Sequence, residues 1–275
     1  MLEAHDYIVI FIIGSLGGFI SGLLGVGGGI VYIPLMDYFL FRMGLRNDVL
    51  VKGILANSLF TIIFSGSVAS YTQYKSGNFY PKEILLTAVP GIISALTFTY
   101  LIKSGTWYSK SMFNIVFAGM LLVIILKMFF TKKSSLENLK VKEIKPMQYY
   151  LTGLFAGVVT AFSGLGGGVF MTPVFTDVLK HDIRKASSIS NGIIPLFAIA
   201  IGFYNLSGSE FVKVNNWQIG YIVFPVIIPM IIATFIFAPL GVKVSQKTNP
   251  IIIRSIFISF VSIVLIKIIY EIFKH

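Results

Sequence analysis

Residues 24–36 read LGVGGGIVYIPLM, and residues 163–175 read SGLGGGVFMTPVF. Set 139 positions apart, Gly25, Gly27, Gly28, Gly29 and Pro34 of the first stretch fall on Gly164, Gly166, Gly167, Gly168 and Pro173 of the second. A single glycine pair is common in membrane helices. Two copies of Gly-x-Gly-Gly-Gly-x4-Pro opening two similar stretches of chain are a duplication. Consecutive glycines each cost about 1 kcal/mol relative to alanine inside a helix. The backbone is therefore expected to open at 25–29 and again at 164–168. Pro34 and Pro173 are expected as structural breaks near the start of a new helical arm.

The similarity extends outward from these two centres. After each copy comes a short basic loop, with Arg42, Arg46 and Lys52 in the first and Lys180, Arg184 and Lys185 in the second. A run with small polar side chains follows, KGILANS at 52–58 and KASSISN at 185–191, and then two further apolar runs. The stretch TKKSSLENLKVKEIKPMQ at 131–148 is the one long polar segment. The expected organisation is a first membrane repeat over 1–130, a polar basic linker over 131–148 and a second membrane repeat over 149–275.

Composition excludes the soluble classes. Of 275 residues, 56% are hydrophobic and only 12% charged, with a mean hydropathy of +0.86. An ordinary soluble domain carries about 25% charged residues, so this surface could not be made polar enough for water. Residues 7–36, 53–74, 84–102, 111–126, 146–176, 186–209 and 214–242 contain no Asp, Glu, Lys or Arg. A spanning helix needs about 20 mostly apolar residues, and most of these runs reach or approach that length. Aromatic residues near the run ends, among them Tyr71, Tyr74, Trp107, Tyr108, Tyr149, Tyr150, Trp217 and Tyr221, fit interfacial belts. The opening residues MLEAHDYIVI lack the basic start of a signal peptide, so the first run is expected to stay in the mature protein. The net charge of +11 lies mostly between the runs and does not point to nucleic acid. No cysteine is present, which excludes disulfides and thiol chemistry. His5, His181 and His275 have no metal-ligand spacing, so neither a metal nor a cofactor is expected.

The arm after each glycine cluster is too short to cross a bilayer core of about 30 Å. For example, residues 30–41 cover about 18 Å at 1.5 Å per residue. A broken or re-entrant hairpin is the natural form. If each hairpin returns to its starting side and the linker is inside, the cytoplasmic connections 72–82, 131–146, 180–185 and 241–254 carry nearly twice the Lys and Arg of the outside ones. If each broken segment crosses once, the two sides are almost even. The expected fold is an all-α polytopic membrane protein of two inverted repeats, each with a Gly-rich broken hairpin plus about three spanning helices. That makes 8 to 10 membrane segments, with both termini outside.

A helix opening just after GGG presents free backbone N–H groups and the positive end of its dipole. Two such ends would form an anion site without a buried cation. On this reading the substrate-binding candidates are Gly25, Gly27, Gly28, Gly29 and Ile30, with Gly164, Gly166, Gly167, Gly168 and Val169. The alternative is that the glycines serve close helix packing alone. Asn57, Ser58, Ser187, Ser188 and Asn191, together with Ser190, could bind anion oxygens or make interhelical hydrogen bonds. Asp37 and Asp177 follow the motif prolines and are candidates for proton coupling, or caps for the adjacent basic loops. Lys52 and Lys185 could draw an anion into the mouth or simply snorkel. A phosphate-binding P-loop is excluded, because no Lys-Ser/Thr follows the glycines. No catalytic arrangement is visible, so an enzyme is not expected.

The paired GxGGG…P segments, opening two halves of a basic membrane protein, resemble the TauE/SafE sulfite exporter family, also called the toluene sulfonate uptake permease group. The resemblance covers nearly the whole chain and carries the motif glycines and prolines over as central. It implies transport of a small sulfur-containing or organic oxyanion, such as sulfite, sulfoacetate or a sulfonate, across a bacterial inner membrane. The sequence departs from the pattern where Gly53, Ile54 and Leu55 stand opposite Ala186, Ser187 and Ser188. The resulting expectation is a secondary transporter, with export favoured, working by alternating access around two broken helices. Its expected partners are a small anionic substrate and membrane lipid. An anion channel of the same fold is the alternative, with a membrane-embedded enzyme or a scaffold behind it.

Overall fold

The computed structural model describes residues 2–130, 145–206 and 213–274. Most of the expected linker, residues 131–144, lies outside them. Ten helices carry the described chain: α1 (Ala4–Leu24), α2 (Gly29–Arg42), α3 (Asn47–Lys75), α4 (Pro81–Lys103), α5 (Lys110–Phe130), α6 (Pro146–Ser163), α7 (Gly168–Pro173), α8 (Ile183–Leu206), α9 (Phe224–Lys247) and α10 (Pro250–Lys274). Proline starts α4, α6 and α10, where its missing N–H would have no helical partner anyway. A π-helical turn, Val174–Val178, extends α7. Two two-residue antiparallel strands, β1 (Gln218–Ile219) and β2 (Ile222–Val223), precede α9. Sequence periodicity merged that small ribbon into the apolar run 214–242. The molecule is an all-α multi-pass membrane protein. Helices α1, α3, α4, α8 and α9 are long and apolar enough to cross a bilayer, and shorter apolar stretches lie at 110–123, 168–178 and 258–270.

Packing crosses between the first five helices and the last five. Helix α1 lies along α9 and α4 along α6, while α3 faces α8 and α5 faces α10. Replacing each helix by the one five places away turns the α1–α9 pair into α6–α4, and the α3–α9 pair into α8–α4. Both members of each exchange are present. Lipid gives helices little hydrophobic reason to associate, so close approach at small residues carries these contacts. Gly22 lies against the Ala238 carbonyl and Gly241 against the Phe19 carbonyl, joining α1 to α9. Gly153 and Gly157 meet the Thr87 and Gly91 carbonyls, joining α6 to α4.

Three of the aromatic residues expected at the membrane surface are buried instead. Tyr108 and Tyr149 are 2% and 5% exposed, and Tyr221 is 8%. The Tyr108 hydroxyl donates to the Phe162 carbonyl at 2.7 Å, which accounts for its position inside. Tyr71, Tyr74, Trp107 and Trp217 are exposed.

Candidate functional site

The two glycine clusters are helix breaks of the same construction. Helix α1 ends at Gly25, whose φ of +71° is left-handed and whose N–H bonds to the Ser21 carbonyl. Gly28, at φ +75°, then caps the start of α2 and accepts from the amides of Val31 and Tyr32. The second copy repeats this. Gly164 closes α6 at φ +69°, and Gly167, at φ +74°, accepts from the amides of Phe170 and Met171. Only glycine adopts this region without penalty, so both pairs of turns depend on it. The amides of Gly29 and Ile30, and of Gly168 and Val169, are the first of their helices and have no acceptor in the helical ladder. Pro34 lies inside α2, which runs on through it to Arg42. The break before α2 is therefore made by glycine. Pro173 is where α7 gives way to the π-helical turn.

Each second arm folds back along the first. The Tyr32 ring lies against Gly17. At the base, the Arg42 guanidinium is 2.7 Å from the Asp6 carboxylate. In the second hairpin the Tyr149 hydroxyl is 2.8 Å from Nε2 of His181. Both hairpins therefore end beside the start of their own first helix.

The tips meet in the centre of the protein. A Cβ on Gly29 would lie 2.8 Å from Cα of Leu165, and one on Gly168 would lie 2.7 Å from the Gly25 carbonyl oxygen. Gly27 and Gly166 both face Ile62 of α3 and Ile194 of α8. Side-chain hydroxyls pin the tips to these helices. Ser58 donates to the Gly164 carbonyl and Ser65 to the Gly27 carbonyl, both at 2.9 Å. Thr172 donates to the Gly25 carbonyl at 3.2 Å and lies 3.2 Å from the Ser190 hydroxyl. Neither Ser65 nor Thr172 stood out in the sequence.

The small polar residues separate into two groups. Asn57 is fully engaged: its amide donates to the Gly53 and Tyr221 carbonyls, and its oxygen accepts from the Val223 N–H. It tethers the β1–β2 ribbon to α3. Ser188 donates to the Asn78 carbonyl. Ser187 and Asn191, on successive turns of α8, are different. Both are buried, and the Ser187 hydroxyl and both polar atoms of the Asn191 amide have no partner among the described residues. Ser187 packs directly on Gly25, and the Ser21 hydroxyl, one turn before Gly25, is likewise buried without a partner. Leaving such groups unpaired costs about 1–3 kcal/mol each. Ser21 and Ser187 thus flank the first helix break, and Asn191 lies one turn further along α8, each with hydrogen-bonding groups that have no partner among the described residues.

The charged candidates are largely paired. Asp37 sits 2.7 Å from Lys110, bracing α2 against α5. Asp177 lies on the π-helical turn and accepts from Thr176 at 3.3 Å. Lys52 is 3.3 Å from Asp48 one turn back. Lys185 is 3.0 Å from Glu83, with its ammonium also over the Tyr80 ring. Glu83 was missed in the sequence. Scarcity was the available signal, since the chain holds only 11 carboxylates. In the same region, burial and the positive charge of Lys185 push the His181 imidazole down to about 4, against the pull of Glu83. No group of residues fit to hold a metal occurs among the described residues.

Residues 10–268 match the model of the family described as Sulfite exporter TauE/SafE. The chain is also 24% identical over 257 residues to a probable membrane transporter protein of Haemophilus influenzae, covering 93% of this chain and 95% of that one. A probable membrane transporter protein of Methanocaldococcus jannaschii is 23% identical over 246 residues, covering 88% and 87%. One from Bacillus subtilis is 24% identical over 207 residues, covering 69% and 74%.

Proposed function

We propose that this chain, which belongs to the Sulfite exporter TauE/SafE family of membrane transporters, is a secondary carrier of a small sulfur-containing or organic oxyanion, operating in the export direction across the inner membrane. One observation carries the reading: the two glycine tips meet where Ser187 packs on Gly25, and Ser187 and Asn191, one turn further along α8, are buried with hydrogen-bonding groups that have no partner among the described residues. An oxyanion offers acceptors to the amides of Gly29, Ile30, Gly168 and Val169 and to the Ser187 hydroxyl. The Asn191 amide can donate to it as well. The positive ends of α2 and α7 favour negative charge at the same point.

The crossed packing of the first and last five helices supports two repeats, 1–130 and 149–275. Hairpins that return to their starting side leave an odd number of crossings in each half. The halves then insert in opposite directions, as inverted repeats with both termini outside. The cytoplasmic bias of Lys and Arg supports the same orientation. Tips in direct contact support alternating access over a permanently open channel. An interior-negative potential itself drives anion export, by about 2.3 kcal/mol per charge per 100 mV.

The direct test is counterflow of labelled sulfite and of a labelled sulfonate in proteoliposomes. Saturable exchange at the turnover of a carrier is expected. Flux no greater than in protein-free vesicles, across sulfite, sulfonates and small carboxylates, overturns the reading. Ion throughput far above that of a carrier assigns the fold to a channel.

A further inference from the structure

A small cavity of about 20 Å3 lies between α3, α4, α6 and α8, lined by Lys52, Leu55, Thr99, Lys103, Asn205 and Tyr221 among others. It sits beneath the second glycine tip, since Leu55 also packs on Gly164. No carboxylate of the described residues lines it. Two ammonium groups converge there from different helices, and each is only partly occupied. Lys52 has Asp48 at 3.3 Å. Lys103 donates to the Tyr204 carbonyl at 2.9 Å and lies over the Tyr204 ring. An ammonium has three donors, so both lysines keep N–H groups for a ligand. In the same lining the Thr99 hydroxyl, on a residue 8% exposed, has no hydrogen-bond partner among the described residues.

Resting on the transport function proposed above, the geometry points to an oxyanion-docking station at this mouth of the protein, in which Lys52, Lys103 and Thr99 hold the anion as it leaves the glycine tips. Among the described residues, two lysines against one aspartate leave the cavity net positive, which selects for anions. Thr99 supplies a directed donor, and Leu55 closes the floor toward Gly164. The volume exceeds the roughly 10–15 Å3 that a water needs. It admits the leading oxygen of an anion, while the flexible lysine stems swing outward to take the remainder. The other mouth is built differently, because Lys185 is already matched by Glu83 at 3.0 Å. The docking station therefore belongs to one mouth alone.

The experiment measures sulfite binding to the purified full-length protein in detergent, together with the half-saturating sulfite concentration for proteoliposome flux, for wild type, Lys103→Met, Lys103→Arg and Thr99→Val. Sulfite binding is expected to weaken about tenfold in Lys103→Met and less in Thr99→Val, with Lys103→Arg retaining most of the affinity and flux following binding. Wild-type affinity in both Lys103→Met and Thr99→Val overturns the station while leaving the carrier intact. Equal loss in Lys103→Arg and Lys103→Met also overturns it, since a positive charge then plays no part. If Lys103→Met fails to fold, the near-isosteric Thr99→Val carries the test alone. A wild type that binds sulfite through Lys103 but moves none keeps the station and removes the carrier. A wild type that neither binds nor moves it removes both.

Discussion

The Arg42 guanidinium sits 2.7 Å from the Asp6 carboxylate, and this pair closes the base of the first broken hairpin. Asp6 is in the first turn of α1 and Arg42 in the last turn of α2. Their contact brings the chain back to where the hairpin began. Asp6 is itself buried, and it also accepts from the Glu3 N–H at 2.9 Å. Asp6→Asn and Arg42→Met are expected to lower the melting temperature by similar amounts. The double variant should be no worse than the poorer single one. Thermal melts in detergent, arranged as a double-mutant cycle, check this, and simple additivity would show that the pair does not act as a unit.

Ser187 and Asn191 predict opposite signs for stability and transport. Removing a buried polar group that has no partner relieves a desolvation cost of about 1–3 kcal/mol. Ser187→Ala and Asn191→Leu should therefore melt at or above the wild-type temperature while sulfite flux falls at least tenfold. Parallel melts and flux assays decide it. Loss of stability with transport falling in step would assign both side chains to structure.

Gly28 and Gly167 predict a stability effect. Both are left-handed, and alanine in that region costs about 1–2 kcal/mol. A Cβ at 28 would also lie 2.7 Å from the Gly17 carbonyl, and one at 167 would lie 2.7 Å from the Thr160 hydroxyl. Gly28→Ala and Gly167→Ala should each lose at least that much stability, read from denaturant titration of the detergent-solubilised protein.

His181 predicts an acid limit. Its imidazole is held neutral by burial, with a value near 4 in the folded protein against an ordinary 6.5. The unfolded chain thus binds a proton that the folded one refuses. Stability is whole above about pH 6.5 and falls as the pH drops toward 4, at up to about 1.4 kcal/mol per unit. His181→Gln should flatten the pH dependence of melting across that window. An unchanged slope in the variant would place the titration elsewhere.

Much of this architecture was legible in the sequence because it rests on local cost. Consecutive glycines cannot continue a helix economically, so the breaks after Leu24 and Ser163 could be read from two stretches of chain. Runs without charge have nowhere to go but lipid. The duplication could be seen because both copies need the same left-handed glycines. Pro34 shows where local reading runs out, because a helix tolerates proline once its neighbours supply packing, and α2 passes through it.

Composition and short-range geometry fix the membrane class and the two break points, and the paired glycine motif carries the resemblance to the family. Tertiary structure alone decided which polar groups are spent. Asn57 and Asn191 look equivalent as small polar residues in matching runs. Yet Asn57 is consumed by a ribbon 164 positions away, at Tyr221, and Asn191 has no partner among the described residues. Ser58 is likewise spent on Gly164, 106 positions on. Of the lysines, Lys185 is matched by a glutamate from another helix, while Lys52 and Lys103 share a cavity. Hydrogen bonds and ion pairs act over about 3 Å, and those partners are adjacent only once ten helices have packed.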